Sequence, residues 1–144
     1  MKLSPNGLAF IAVCEGCKLY SYPDSTGVWT VGYGHTSGVR AGMVCTQEQA
    51  NEWLDQDSTG AVFVVNKRVD VPLTQNQFDA LVDFVYNEGE SSFAKSTLLR
   101  LLNLGQYENA AAQFVRWDIA GGQVLPGLLR RRELERDFFL DPSA

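Results

Sequence analysis

Glu15 and Asp24 stand nine residues apart, and Thr30 follows six residues later. They lie in the run Glu15-Gly16-Cys17-Lys18-Leu19-Tyr20-Ser21-Tyr22-Pro23-Asp24, continued by Ser25-Thr26-Gly27-Val28-Trp29-Thr30-Val31-Gly32-Tyr33-Gly34-His35-Thr36. Two carboxyl groups beside one groove are the working parts of glycoside hydrolysis. One protonates the leaving oxygen, and the other serves the opposite face of the sugar. Spacing alone does not separate this from a surface turn, because Asp and Glu are mostly exposed. Pro23-Asp24 ahead of Ser25-Thr26-Gly27 is good turn chemistry in its own right, and a strand threonine is ordinary β propensity.

The elements that must position these groups follow from local signals. Ser4-Pro5 reads as an N-cap with proline at the first helical position, opening a helix to about Cys14 with Glu15-Gly16 at its end. Residues 18 to 36 change to a period-two texture with turn signals, which predicts a small β-sheet. If 28 to 35 is one strand, Thr30, Gly32 and Gly34 share a face, and Trp29, Val31, Tyr33 and His35 share the other. Two absent side chains beside Thr30 would then let a bulky ligand reach the backbone, though glycines also mark twist or a bulge.

From Thr46 the chain reads as mostly helical. Thr46 with Gln49, and Thr74 with Gln77, fit capping boxes. Phe78, Leu81, Val82 and Val85 form a core-facing stripe. Ser96 caps a helix stopped by Gly105, and helices are expected from Tyr107 to Trp117 and from Leu128 to Phe139. Gly121-Gly122 and Pro126-Gly127 punctuate the last turn region. The expected organisation is a single domain over 1–144: an N-terminal helix and β lobe to about 45, a connecting helix over about 46–67, and a helical lobe over about 68–144. A cleft between the lobes would be the natural binding site.

Composition narrows the function classes. At 144 residues the chain can bury a core without disulfides or metals. With 45% hydrophobic and 20% charged residues, neither disorder nor membrane spanning is indicated. A net charge of -5 argues against nucleic acid as a partner, which calls for clustered Lys and Arg. The apolar run Leu8 to Cys14 is short for a signal segment and lacks a cleavage site.

The stretch from Glu15 to Thr36 resembles the catalytic segment of the phage-type lysozymes (glycoside hydrolase family 24, the lambdoid endolysins). Members carry Glu, eight residues, Asp, five residues, Thr, and then a Gly-aromatic-Gly-His-Thr ending. The block from Arg116-Trp117-Asp118 to Arg130-Arg131-Arg132 resembles the family's C-terminal signature, and Leu73 to Leu81 and Tyr86-Asn87-Glu88-Gly89 resemble it between. Nearly the whole chain is covered, to about Phe139. The resemblance implies an α+β, mainly helical, lysozyme-like fold. It implies endo-hydrolysis of the β-1,4 bond between N-acetylmuramic acid and N-acetylglucosamine in peptidoglycan, by an inverting single displacement and with no cofactor.

In that reading Glu15 is the general acid, held protonated by burial beside Trp29 or other apolar groups. Asp24 stays ionised, and Thr30 orients a water with it. Thr36, Tyr86, Ser96 and Gln113 fall where the family places saccharide contacts, although Tyr86 could equally be a core aromatic and Ser96 a helix cap. A basic residue of the cluster Arg130, Arg131 and Arg132 is expected near Glu15, with the three left open; for most of the cluster a solvated helix face is expected. Further expectations are a monomer without stable membrane insertion, made in the bacterial cytoplasm and released to the wall through a holin-type lesion. No export anchor of the kind some lambdoid members carry is expected. The alternative from another class is a muramidase-like domain that binds peptidoglycan or acts as a scaffold without turnover. Intact Glu15, Asp24 and Thr30 argue against it.

One competing constellation is a Cys3His zinc site from Cys14, Cys17, Cys45 and His35. Against it, Cys14 lies on an apolar helical stretch, where a thiol behaves as a small hydrophobe. No metal is therefore expected. His35, the only histidine, is expected to be a hydrogen-bonded structural residue.

Overall fold

The structure, a computed structural model, describes residues 1–120 and 122–143. The chain divides into two compact units: Leu8–Thr59, and Met1–Gly7 together with Gly60–Ala144.

The unit Leu8–Thr59 holds most of α1 (Pro5–Glu15), the strands β1 (Lys18–Pro23) and β2 (Trp29–Gly32), and the first half of α2 (Gln47–Arg68). The Gly7 N–H donates to the Ser4 hydroxyl at 3.0 Å, the cap expected of Ser4-Pro5. α1 stops at Glu15 because Gly16 takes a φ of 68°, a left-handed conformation that ends helices. β1 and β2 pair antiparallel with Tyr22 opposite Thr30, Pro23 opposite Trp29 and Lys18 opposite Gly32. An irregularity lies between Lys18 and Tyr22. The other edge of β1 is joined by residues 43–45: the Ser21 N–H donates to the Met43 carbonyl and the Cys45 N–H to the Leu19 carbonyl, each at 2.8 Å.

The strand expected over 28–35 is shorter than its pattern. After Gly32 the chain turns back, and Val31 and His35 exchange both backbone hydrogen bonds at 2.9 Å. Gly32 and Gly34 have φ of 67° and 83°, which a strand cannot accommodate. The predicted sharing of faces therefore holds for 29–32 and fails for 33–35. The open space beside Thr30 is also filled. A Cβ on Gly32 would stand 3.2 Å from the Ala50 Cβ on α2, so its missing side chain admits a helix and not a ligand.

The second unit is helical: α3 (Gln75–Glu88), α4 (Glu90–Lys95), α5 (Thr97–Asn103), α6 (Tyr107–Gln113) and α7 (Pro126–Leu140). A 3-10 turn over Phe114–Arg116 continues α6, and β3 (Ile119–Ala120) pairs with β4 (Gln123–Val124). Thr74 and Gln77 form the reciprocal capping box at α3. The stripe Phe78, Leu81, Val82 and Val85 is buried, and the Phe84 ring meets Phe93, Phe114 and Trp117 at centroid distances of 6.2, 5.7 and 5.5 Å. Buried Phe and Leu side chains each contribute about 1.5–3 kcal/mol, so this cluster is the main source of the unit's cohesion.

Two local expectations need correction. The helix expected from Tyr107 to Trp117 tightens into the 3-10 turn after Gln113. Pro126 opens α7 at its first position instead of ending a turn region, since a first-turn residue has no intrahelical N–H bond to lose. α4 carries no periodic signal, being six residues long. Gly121 lies outside the described residues.

The arginine cluster departs furthest from expectation. Arg130 is exposed, but Arg131 and Arg132 are buried. The Arg131 guanidinium donates to both oxygens of Asp83, at 3.0 and 2.7 Å. Arg132 reaches Glu88 at 2.8 Å, Asn87 at 2.7 Å and Glu135 at 2.8 Å. No helix among the described residues is long and apolar enough to cross a membrane.

Candidate active site

Glu15, Asp24, Thr30 and Thr36 all belong to the unit Leu8–Thr59, whereas Tyr86, Ser96 and Gln113 belong to the other. Glu15 is the last residue of α1 and is half-buried, so a helix end fixes its backbone. A Cβ on Gly34 would lie 3.4 Å from the Glu15 Oε2, which places that carboxyl against the tight turn Val31–His35. Gly34 thus serves a close approach as well as a positive φ. Trp29 follows strand alternation to the face opposite Thr30 and is 36% exposed.

Asp24 begins the reversal between the strands. Its Oδ1 accepts the Thr26 N–H at 2.8 Å, the Thr26 hydroxyl at 2.7 Å and the Val28 N–H at 2.9 Å. All three fall on Oδ1; among the described residues no bond is made to Oδ2. These hydrogen bonds, the Thr26 hydroxyl first, hold the Asp24 carboxyl below the usual carboxylate range. The turn chemistry legible in the sequence and the ionised carboxylate are therefore one device.

Thr30 is 4% exposed, and its hydroxyl donates to the Val28 carbonyl at 2.9 Å. With that proton committed, the oxygen presents only lone pairs to a further partner.

Tyr22 was not singled out by sequence reasoning. It stands directly opposite Thr30, and the Lys18 ammonium lies 4.4 Å from its ring centroid. Burial, then the Glu15 and Asp24 carboxylates and Cys17, push its phenol above the usual range. Tyr22 and Thr30, as direct cross-strand partners, share one face of the strand pair. The signal available in the sequence was parity: Tyr22 precedes Asp24 by two along an alternating run.

His35 is a hydrogen-bonded structural histidine. Its Nδ1 lies 2.7 Å from the Asp57 Oδ2 on α2, and its ring stacks on Trp53 at 4.3 Å with an interplanar angle of 6°. It anchors the turn that carries Gly34. Thr36 is exposed, and its carbonyl accepts the Val39 N–H at 3.2 Å. Tyr86 is half-buried on α3, and Gln113 is half-buried at the end of α6. The buried Ser96 hydroxyl donates to the Phe93 carbonyl at 2.7 Å and accepts the Leu99 N–H at 3.0 Å, which is its capping role. Cys14 and Cys45 are half-buried and Cys17 is exposed. Among the described residues no three His, Cys, Asp or Glu side chains are grouped to hold a metal ion.

A helix end, a strand pair and the turn between its strands carrying two carboxylates and a threonine, in a chain built mainly of helices, define a lysozyme-like protein of α+β build. Residues 12–135 match the family model described as phage lysozyme, and the chain belongs to that family. It is 43% identical to an endolysin of Acyrthosiphon pisum secondary endosymbiont phage 1, over 96% of this chain and 98% of that one. Among solved structures, the endolysin from Escherichia coli O157:H7 phage FAHEc1 superposes with a TM-score of 0.93 at 39% identity, covering 98% of this chain and 94% of that one. The muramidase domain of SpmX from Asticaccaulis excentricus gives 0.92 at 41% identity, covering 98% and 99%.

Proposed function

We infer that the protein is a muramidase that hydrolyses bacterial peptidoglycan for host cell lysis. Family membership over nearly the full length supports this. The observation that supports the mechanism is the local setting of the three residues: Glu15 at the end of α1 with its carboxyl near Gly34, Asp24 held ionised by the hydrogen bonds of its own turn, and Thr30 buried opposite Tyr22. The bond cut is the β-1,4 link between N-acetylmuramic acid and N-acetylglucosamine. Glu15 protonates the leaving oxygen. A water donates one proton toward Asp24 Oδ2 and the other toward Thr30 Oγ1, both acceptors, so its lone pair faces the anomeric carbon. Attack forms the new carbon–oxygen bond on the face opposite the leaving sugar, and the water's proton passes to Asp24. Such an inverting displacement needs carboxyl groups about 6.5–9.5 Å apart. No cofactor takes part in these steps.

Thr36, Tyr86, Ser96 and Gln113 enter the proposal as saccharide contacts on the family resemblance. Monomeric action, synthesis in the cytoplasm and passage to the wall through a holin-type lesion belong to the same reading. A domain that only holds peptidoglycan is not favoured. Proton NMR of freshly cleaved wall tests the chemistry: the new reducing end should appear first as the α-anomer. Early β-anomer would mean that Asp24 attacks the sugar itself.

A further inference from the structure

We propose that Tyr22 is a further substrate-binding residue of this site: its phenol O–H donates a hydrogen bond to an acceptor oxygen of the N-acetylated sugar at the cleavage point, with Lys18 fixing the plane of its ring. The proposal rests on the muramidase reading and adds to it the group that holds the sugar.

Hydrogen-bond inventory leads to it. Thr30 has given its proton to the Val28 carbonyl, and Asp24, held ionised by its turn, has none to give. Both can hold a water, but neither can donate to a sugar. N-acetylated sugars carry acceptors as well, in the acetamido carbonyl and the ring oxygen, and an acceptor left unmatched in a site costs affinity. Tyr22 supplies a neutral donor on the same face. It sits directly across the strand pair from Thr30, and parity along β1 puts it on the same face. Burial and the two carboxylates keep the phenol neutral well into the alkaline range, so it holds the proton it must donate.

Lys18 explains why the ring can act as a fixed donor while only half-buried. Its ammonium lies over the ring at 4.4 Å, a cation–π contact that restrains the ring from one face. In a protein of net charge -5, this cation also offsets locally the repulsion an anionic wall would otherwise meet.

The test is Tyr22→Phe, which removes the hydroxyl alone, with Lys18→Met as a second variant that keeps the aliphatic stem and loses the cation. Affinity for soluble, uncross-linked peptidoglycan strands is measured by calorimetry in a Glu15→Gln background, so that turnover does not intrude. KM, kcat and the pH profile are measured in the Glu15 protein. Tyr22→Phe should weaken strand binding and raise KM by about 3–10-fold, the scale of one neutral hydrogen bond. The acid limb of the pH profile and the melting temperature should stay in place. Lys18→Met should weaken binding by about 2–5-fold. Parental affinity in Tyr22→Phe would overturn the proposal. So would unchanged affinity with a lower kcat and a displaced acid limb, since the phenol would then serve Asp24 or Glu15 and not the sugar. Binding by the Glu15 protein without release of reducing ends would sink the hydrolytic reading alone, and failure to bind the strands at all would sink both.

Discussion

Two groups of acidic and basic side chains in this protein look alike in sequence and are opposite in physical state. Next along the chain from Tyr22 and Pro23, Asp24 is only partly covered and its carboxyl is stabilised by hydrogen bonds from its own turn. On α3 and α7, Asp83, Arg131, Arg132 and Glu135 are withdrawn from water, and Arg132 and Glu135 are fully buried. Desolvation, then Asp83, push the Glu135 carboxyl well above its usual range against the pull of Arg132 and Arg131. Asp24 is a charge kept available. Glu135 is a charge suppressed inside a packed network. The contrast shows that the carboxyls' neighbours, not their residue type, assign them to chemistry or to cohesion.

The comparison breaks most visibly if the buried network is truncated. Arg132→Ala leaves Glu88 and Glu135 without their guanidinium, and should cost about 3–5 kcal/mol of stability by urea denaturation. A loss comparable to that of an exposed ion pair, below about 1 kcal/mol, would show that the network is not cohesive.

The site group should behave in the reverse way. Glu15→Gln keeps the shape and removes the acid, so wall lysis measured by turbidity should fall by about 10²-fold or more with an unchanged melting temperature. Lysis within a few-fold of the parent would remove Glu15 from its role.

Thr30→Val keeps the β-branched shape and deletes the acceptor oxygen, and should lower kcat more than it weakens saccharide binding. An affinity loss with normal kcat would make Thr30 a contact residue.

The smallest effect sharpens the electrostatic half of the comparison. Glu135 has its folded-state pKa raised above the ordinary 4.5, so the folded protein keeps a proton that the unfolded chain releases. Its contribution to stability is complete below about that value and is lost as pH rises toward the folded-state pKa. Asp24, with its pKa lowered, has the opposite sign: its contribution is present above the unfolded value and is lost as pH falls through the folded one. Melting curves of Glu135→Gln should therefore decline less steeply than the parent's as pH rises from 4.5. Identical slopes would mean that Glu135 titrates normally.

Some of this was legible in the chain. Ser4-Pro5, Gly16 and the Thr74 box act through bonds within four residues, so pattern located the end of α1 at Glu15 and the start of α3. The turn around Asp24 was equally local. Family spacing then brought Glu15, Asp24 and Thr30 forward together.

What the sequence by itself determined is thus the set of short-range devices: caps, the Asp24 turn, the apolar stripe of α3. These depend on backbone geometry that neighbouring residues dictate. Only the tertiary structure decided three matters that turn on residues far apart in the chain. Gly32 and Gly34 continue an alternating pattern, yet their positive φ reverses the chain so that α2 and the Glu15 carboxyl can close on them. Tyr22 gained its place only from a register that sets it opposite Thr30. Arg131 and Arg132 carry charges that local reading puts in water, but α3 presents Asp83, Asn87 and Glu88 to receive them. Burial of a charge is settled by partners supplied across space, and a linear pattern holds no record of where those partners will stand.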